Sequence, residues 1–268
     1  MYRFLLRPKW IAFHLLVLVA IVAMINLGFW QLRRLEQRRD FNATIEERYD
    51  EPPLPLDDLL TPSTDPDDVE WRPVSAGGTY LPDAQFVVVN RSQNGRAGRN
   101  AVVPLQLDDG RILLVNRGFV PYLVEDVPEV PATDVEILGR LRESQTRSLG
   151  QLSDPVDGTL TEAQRVDIPR LSGQLPGEVV PMYVDLIDST PPEVADLPEP
   201  VATPDLSEGN HLSYAVQWFI FSIAVAVGWF LAVRRSMSTR RREAGSQRTP
   251  GEPDDDAMSD SSPTTTVR

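Results

Sequence analysis

The sequence predicts a membrane protein in which two transmembrane α-helices flank a small, mainly antiparallel β domain, barrel- or sandwich-like, on the extracytoplasmic side. Three observations carry that reading. Apolar runs at 11–30 and 214–233 each have the length that an α-helix needs to cross ~30 Å of hydrocarbon. The region between them is acidic: residues 49–210 hold 29 Asp and Glu against 11 Arg, a net charge of −18, in a chain whose net charge is −13. That region also divides into short apolar runs separated by Gly, Asn and Asp turns, with little helical periodicity.

Residues 1–10 carry Arg3, Arg7 and Lys9 and are expected in the cytoplasm. A signal peptide starts the same way, but the apolar run is longer than a usual signal core. Its end, Asn26-Leu27-Gly28-Phe29-Trp30, is bulky where a cleavage site needs small residues. Residues 11–30 therefore read as an uncleaved span with Trp10 and Trp30 as interfacial anchors. Neither Gly nor Pro occurs in 31–49, so the helix is expected to run on through 31–50. Trp30, Arg34 and Arg38, spaced by four, stack on one of its faces.

Residues 51–71, rich in Pro and Asp, read as a linker, and 72–188 as the β-rich domain, enough for one small core. Strands are expected over 74–81, 85–90, 100–107, 111–116, 135–142 and 182–187. Asp108-Asp109-Gly110 makes a hairpin turn, and one short helix falls around 160–166. Residues 189–210 form a second linker, with five prolines between Thr190 and Pro204. The second span, 211–233, is followed at once by Arg234, Arg235, Arg240, Arg241 and Arg242, whereas 206–213 has no Lys or Arg. Basic residues favour the cytoplasmic side, so both termini are expected in the cytoplasm of a multi-pass cell-membrane protein. Arg33, Arg34, Arg38 and Arg39 on the outer side of the first span pull the other way, and the second span decides. Residues 234–268, ending in Asp-, Ser-, Thr- and Pro-rich sequence, are expected to be a disordered cytoplasmic tail.

The composition narrows the function. So acidic a domain will not neutralise phosphates, which excludes nucleic acid as a partner and leaves the lipid bilayer. There is no cysteine, hence no disulfide, zinc-thiolate site, copper-thiolate site, cysteine nucleophile or covalent c-type haem attachment. No nucleophile elbow, zinc-protease helix, P-loop or dinucleotide fingerprint occurs, and the only histidines are His14 and His211. A membrane-anchored hydrolase would need a base in the domain, where there is no histidine. The expectation is a protein that is not an enzyme.

His211 stands out among the remaining side chains. A neutral imidazole at a membrane border can ligate haem iron or a metal. It can equally serve as an interfacial hydrogen-bonding residue beside a helix cap at Asn210. His14 lies near the other face of the membrane, roughly 20 Å away at 1.5 Å per residue, so the two histidines do not meet on one iron. Arg34 and Arg38 could pair with haem carboxylates, or with lipid phosphate or the acidic domain. Gln217 could bond across to Asn26, and Arg117 could pin the domain to the helices or to a loop carbonyl.

The chain resembles the surfeit locus protein 1 family of bacterial-type cytochrome c oxidase assembly factors. The matching segments are LGFWQLRR (Leu27–Arg34), WRPVSAGGTY (Trp71–Tyr80), VVPL (Val102–Leu105), LVNRGFVP (Leu114–Pro121), Gly139–Arg142 and NHLSYAVQW (Asn210–Trp218). The resemblance implies a non-catalytic assembly factor that helps deliver or insert haem a, bound transiently, into oxidase subunit I, with a haem a synthase as a further partner. It implies His211 as iron ligand, with Trp30, Gln31 and Arg34 of the other border motif as candidates near the same site; physically, Trp30 and Tyr214 would flank the ring and Arg34 or Arg38 would meet a propionate. A structural chaperone that holds an oxidase intermediate and binds no haem is the alternative, and an extracytoplasmic sensor a more distant one.

Overall fold

The computed structural model describes residues 7–193 and 196–246, with side chains as far as residue 239. The chain divides into two compact units. One comprises residues 1–37 and 208–268, the other 38–207.

The first unit is a pair of long helices. Helix α1 runs Pro8–Arg48 and helix α5 runs His211–Ser246, and both are long and apolar enough to cross a membrane. The extension of α1 beyond the apolar run is as the sequence predicts. α5 continues past residue 233, so 234–246 are helical, while 247–268 lie outside the described residues. Within the unit the helices are antiparallel neighbours: His14 meets Trp229, Gly28 meets Phe219 and Gln31 meets His211. Large apolar side chains such as Leu16, Val19 and Ile223 are nevertheless about two-thirds exposed.

The second unit is built on a sheet. Its strands are β1 (Leu54–Pro55), β2 (Pro73–Tyr80), β3 (Phe86–Gln93), β4 (Arg96–Leu107), β5 (Ile112–Pro121), β6 (Val135–Glu143), β7 (Glu162–Ala163) and β8 (Val179–Thr190). Their order is β1-β2-β6-β8-β5-β4-β3-β7, and a further pairing of β2 with β4 closes β2, β6, β8, β5 and β4 into a five-stranded ring. A barrel, not a sandwich, is therefore the architecture. It is mainly antiparallel but mixed: β5 pairs with β8 in parallel, as do β1 with β2 and β3 with β7. The six expected strands all form, most of them longer than predicted. The short helix expected at 160–166 does not form; β7 occupies that stretch, and the helix follows as α4 (Ile168–Leu171). Asp167 explains the shift, because its carboxylate accepts from the Arg170 amide as an N-cap and Pro169 sits in the first turn.

Alternation along each strand sends side chains to two cores. Val103, Leu105, Leu113, Val115, Met182 and Val184 fill the barrel interior. Their neighbours Val102, Leu114 and Tyr183 face outward and are covered by Leu160, Val166, Ile168 and Leu171 from the irregular 144–178 segment. The segment expected as a linker at 51–71 contributes to the interior as well. Its short helices α2 (Leu56–Leu59) and α3 (Pro66–Val69) bury Leu56, Leu59 and Val69 there.

Two arginines organise the polar structure of this unit. In β5, Asn116 pairs with Val102 and Gly118 with Ala101, so Arg117 is the extra residue of a β-bulge. Gly118 has φ 131°, and a side chain there would strike the Glu199 carbonyl, so the motif needs glycine after the arginine. The Arg117 side chain is fully buried. It donates to Glu193 through Nε (3.0 Å) and Nη2 (2.5 Å), to Gln85 Oε1 and the Pro128 carbonyl through Nη1, and to the Glu129 carbonyl through Nη2. Of the two roles the sequence allowed it, Arg117 fulfils the pinning of loop carbonyls. Arg142 on β6 donates to Asp185 Oδ2 (2.9 Å) and Glu70 Oε1 (3.1 Å) and lies 3.6 Å over the Trp71 ring. Trp71 holds a left-handed φ of 73°, and its amide donates to the Leu141 carbonyl.

Replacing Arg117 by Ala strands the Glu193 carboxylate and two loop carbonyls. Breaking a buried pair in this way costs about 3–5 kcal/mol, so chemical unfolding of the detergent-solubilised R117A protein is expected to show at least the lower of these losses.

A pH dependence follows from Glu143, next to Arg142. Its contact with Asp67 comes first, then burial, then the negative charges of Glu70, Asp67 and Asp65, and together they push its carboxyl up to about 7. The folded state therefore holds this proton more tightly than the unfolded chain does. The resulting stability is present at low pH and is lost as pH rises through about 7. Burial raises the Asp185 carboxyl in the same direction, against the opposing pull of Arg142 and Asn116. Thermal unfolding should accordingly show a smaller loss of stability between pH 5 and about 8 in the Glu143→Gln variant than in the native protein.

A candidate cofactor site in the helix pair

α5 begins at His211, directly after Gly209-Asn210, and the Asn210 carbonyl accepts from the Tyr214 amide at 3.1 Å to close the first turn. The imidazole is half-buried. Its Nδ1 lies 2.8 Å from Oε1 of Gln31, which extends from α1. Gly209 has a left-handed φ of 67°. A Cβ there would make ordinary contact with His211 Cδ2 and Nε2, at 3.6 and 3.7 Å, so this edge of the ring faces Gly209.

The other expected site residues divide into two groups. Trp30, next to Gln31 in sequence, is 46% exposed, and Tyr214, one turn after His211, is 50% exposed. Arg34 is exposed and donates from Nη1 to Gln37 Oε1 at 3.1 Å. Arg38 belongs to the other unit and is engaged there. It donates from Nε to the Ser207 carbonyl at 3.0 Å and from Nη2 to the Asp205 carbonyl at 2.5 Å, with its cation 5.5 Å from the Phe41 ring. Asn42, one turn further on, donates to the Leu206 carbonyl. The sequence treats Arg34 and Arg38 alike; the structure gives Arg38 a linker to hold.

At the far end of the pair, the Trp229 indole N–H donates to His14 Nδ1 at 2.8 Å, and Trp10 and Phe13 pack around the same imidazole. Seventeen residues of α1 separate His14 from Gln31, about 25 Å of helix. The two histidines thus stand at opposite ends, as their spacing predicts. The bridge expected from Gln217 to Asn26 is not made by the Asn26 amide, which donates to the Val22 carbonyl one turn back in its own helix. That is a common resolution for a polar side chain in an apolar helix. The sequence marks Gln31 only as a neighbour of the site, with no partner assigned to it. Its position in the FWQ border motif was the available signal, but its partner lies 180 positions away.

One turn from Gln31 along α1, a Cβ on Gly28 would come within 2.7 Å of the Phe219 ring, and Phe29 meets the same ring edge-on at 5.5 Å between centroids. Glycine here lets the helices approach closely, as small residues do in apolar helix pairs. Among the described residues no group of three or more His, Asp or Glu could hold a metal ion.

The sequence model of the SURF1 family matches residues 18–223. The chain belongs to the SURF1 family. The matched segment starts within α1 and ends within α5, so it contains Trp30, Gln31, Arg34, Arg38, His211 and Tyr214, whereas His14 and Trp229 lie outside it. SURF1-family relatives cover nearly the whole chain. An uncharacterized SURF1-like protein of Mycobacterium bovis is 31% identical over 257 residues, 93% of each chain. A SURF1-like protein of Rickettsia bellii is 25% identical over 240 residues, 87% of this chain and 95% of its own. One from Monosiga brevicollis is 28% identical over 240 residues, 82% and 86% of the two chains.

Adding a methyl group at Gly28 forces the Phe219 ring to move, and overpacking of this kind costs about 1–3 kcal/mol. Gly28→Ala should therefore lower the thermal stability of the solubilised protein. In a Phe219→Ala background the same change should cost markedly less, a coupling read from the four-variant cycle.

Proposed function

We propose that this SURF1-family chain is an oxidase assembly factor, spanning the cell membrane twice, that helps deliver or insert haem a into subunit I of a cytochrome c oxidase. The family is associated with oxidase assembly in general. The observation that carries the finer reading is the 2.8 Å contact between His211 and Gln31, because it unites the two border motifs that are 180 residues apart. His211 would bind the iron through Nε2, Trp30 and Tyr214 would lie against the macrocycle, and Arg34 would neutralise a propionate. Arg38 is the weaker candidate for that last task, since two of its nitrogens already serve carbonyl groups.

The residues fit such a group. A half-buried imidazole, two exposed aromatic rings and an exposed guanidinium match an iron centre, a flat apolar ring and a carboxylate. When bound, the haem supplies redox-active iron destined for another protein. The chain's own task is to hold it loosely enough for transfer.

Membrane placement rests on the exposed apolar faces of α1 and α5 and on the distance between the two histidine pairs, about 25 Å, close to the ~30 Å hydrocarbon thickness. Arg234 and Arg235 after the second span support both termini in the cytoplasm and the barrel outside. A haem a synthase is the natural donor partner under this reading.

Two measurements test it together. Membranes of a deletion strain should lose the haem a band in reduced-minus-oxidised difference spectra while b- and c-type bands persist. The purified protein titrated with haem should show a Soret band that His211→Ala removes. Unchanged membrane spectra would overturn the assembly role. Loss of haem a without any binding by the purified protein would favour a structural chaperone of an oxidase intermediate.

A further inference from the structure

We propose that Gln31 is the positioning residue for His211: its side-chain carbonyl selects the tautomer that carries the proton on Nδ1 and leaves the lone pair on Nε2. The haem part of this inference rests on the function proposed above; the tautomer part does not.

The argument starts from the atoms. Gln31 Oε1 has lone pairs and no hydrogen, so it accepts only. At 2.8 Å from His211 Nδ1 it requires that nitrogen to be the donor. A neutral imidazole has one N–H, so Nε2 is then the unprotonated nitrogen. Nε2 is also the nitrogen on the edge that faces Gly209, from which no side chain extends. The carbonyl of Gln31 thus plays the part that a carboxylate or backbone carbonyl plays behind a metal-bound histidine: it fixes the ring orientation and raises the basicity of the opposite nitrogen.

The chain contains its own reference. His14 receives the Trp229 indole N–H on Nδ1, and indole can only donate. His14 therefore keeps its proton on Nε2, the tautomer opposite to that of His211. With only these two histidines in the sequence, both states can be read side by side in one sample.

The experiment uses full-length protein in detergent, labelled with nitrogen-15 in histidine only, in an alkaline buffer. The native spectrum is expected to show one histidine of each tautomer, with His211 assigned by its absence from the His211→Ala spectrum. Gln31→Leu, close in size but without the acceptor, should shift His211 toward the Nε2–H form and leave His14 unchanged. A His211 tautomer identical in the native and Gln31→Leu proteins overturns the inference, whatever the outcome with haem.

A second arm adds ferric haem b as the probe. Gln31→Leu should weaken binding about 10-fold or more and lower the iron–histidine stretching frequency of the reduced complex. Gln31→Glu, a stronger acceptor, should raise that frequency. If the native protein binds no haem while the tautomer shift is seen, the haem reading fails and the role of Gln31 toward His211 stands. If His211 ligates haem but neither variant alters affinity or frequency, Gln31 does not tune the ligand and this part of the inference fails.

Discussion

The close approach of α1 and α5 at Gly28 and Phe219 is the constraint that the helical unit is built around. It sets the register of two antiparallel rods, and the polar pairs at their ends follow from it. Seventeen residues run from His14 to Gln31 on one helix and eighteen from His211 to Trp229 on the other. The rods are matched in length, so both ends can pair at once. Each pair joins an imidazole to a side chain of the other helix through Nδ1, which faces an acceptor in His211 and a donor in His14.

The barrel solves a different problem. Its interior is small, and a five-membered ring closes only because β5 and β8 run in parallel between antiparallel neighbours. Closure removes the interior edges that an open sheet would leave. The cost is a set of long connections, and the buried arginines hold these in place. Arg117 gathers Gln85, two loop carbonyls and Glu193 about one guanidinium, while Arg142 links Glu70, Trp71 and Asp185. In this acidic unit Arg72, Arg96, Arg111 and Arg165 also pair with carboxylates.

Much of this could be read from the residues. Both helices, the continuation of α1 to Arg48 and six strands followed from apolar periodicity and turn chemistry. What escaped was non-local. The parallel β5–β8 pairing joins segments more than 60 residues apart and has no signature in either strand. The 51–71 segment read as linker because proline and aspartate dominate it, yet Leu56, Leu59 and Val69 are spaced to enter the core. At the site, the border motifs singled out His211, Trp30 and Arg34, but the pairing of His211 with Gln31 depends on helix register, which local sequence does not encode. Arg38 repeats the spacing of Arg34, and only the course of the linker at 205–207 distinguishes the two.

His211 has no second imidazole beside it, no thiol exists in the chain, and no carboxylate cluster accompanies it among the described residues. A lone imidazole gains nothing from chelation, so loose copper or zinc ions would be held weakly, because tight sites for these ions gather three or four protein ligands. Iron already enclosed by a macrocycle needs only the axial bond. Under the proposed haem reading, the sparseness of the site would itself be a filter, discriminating by how many ligands the metal brings with it.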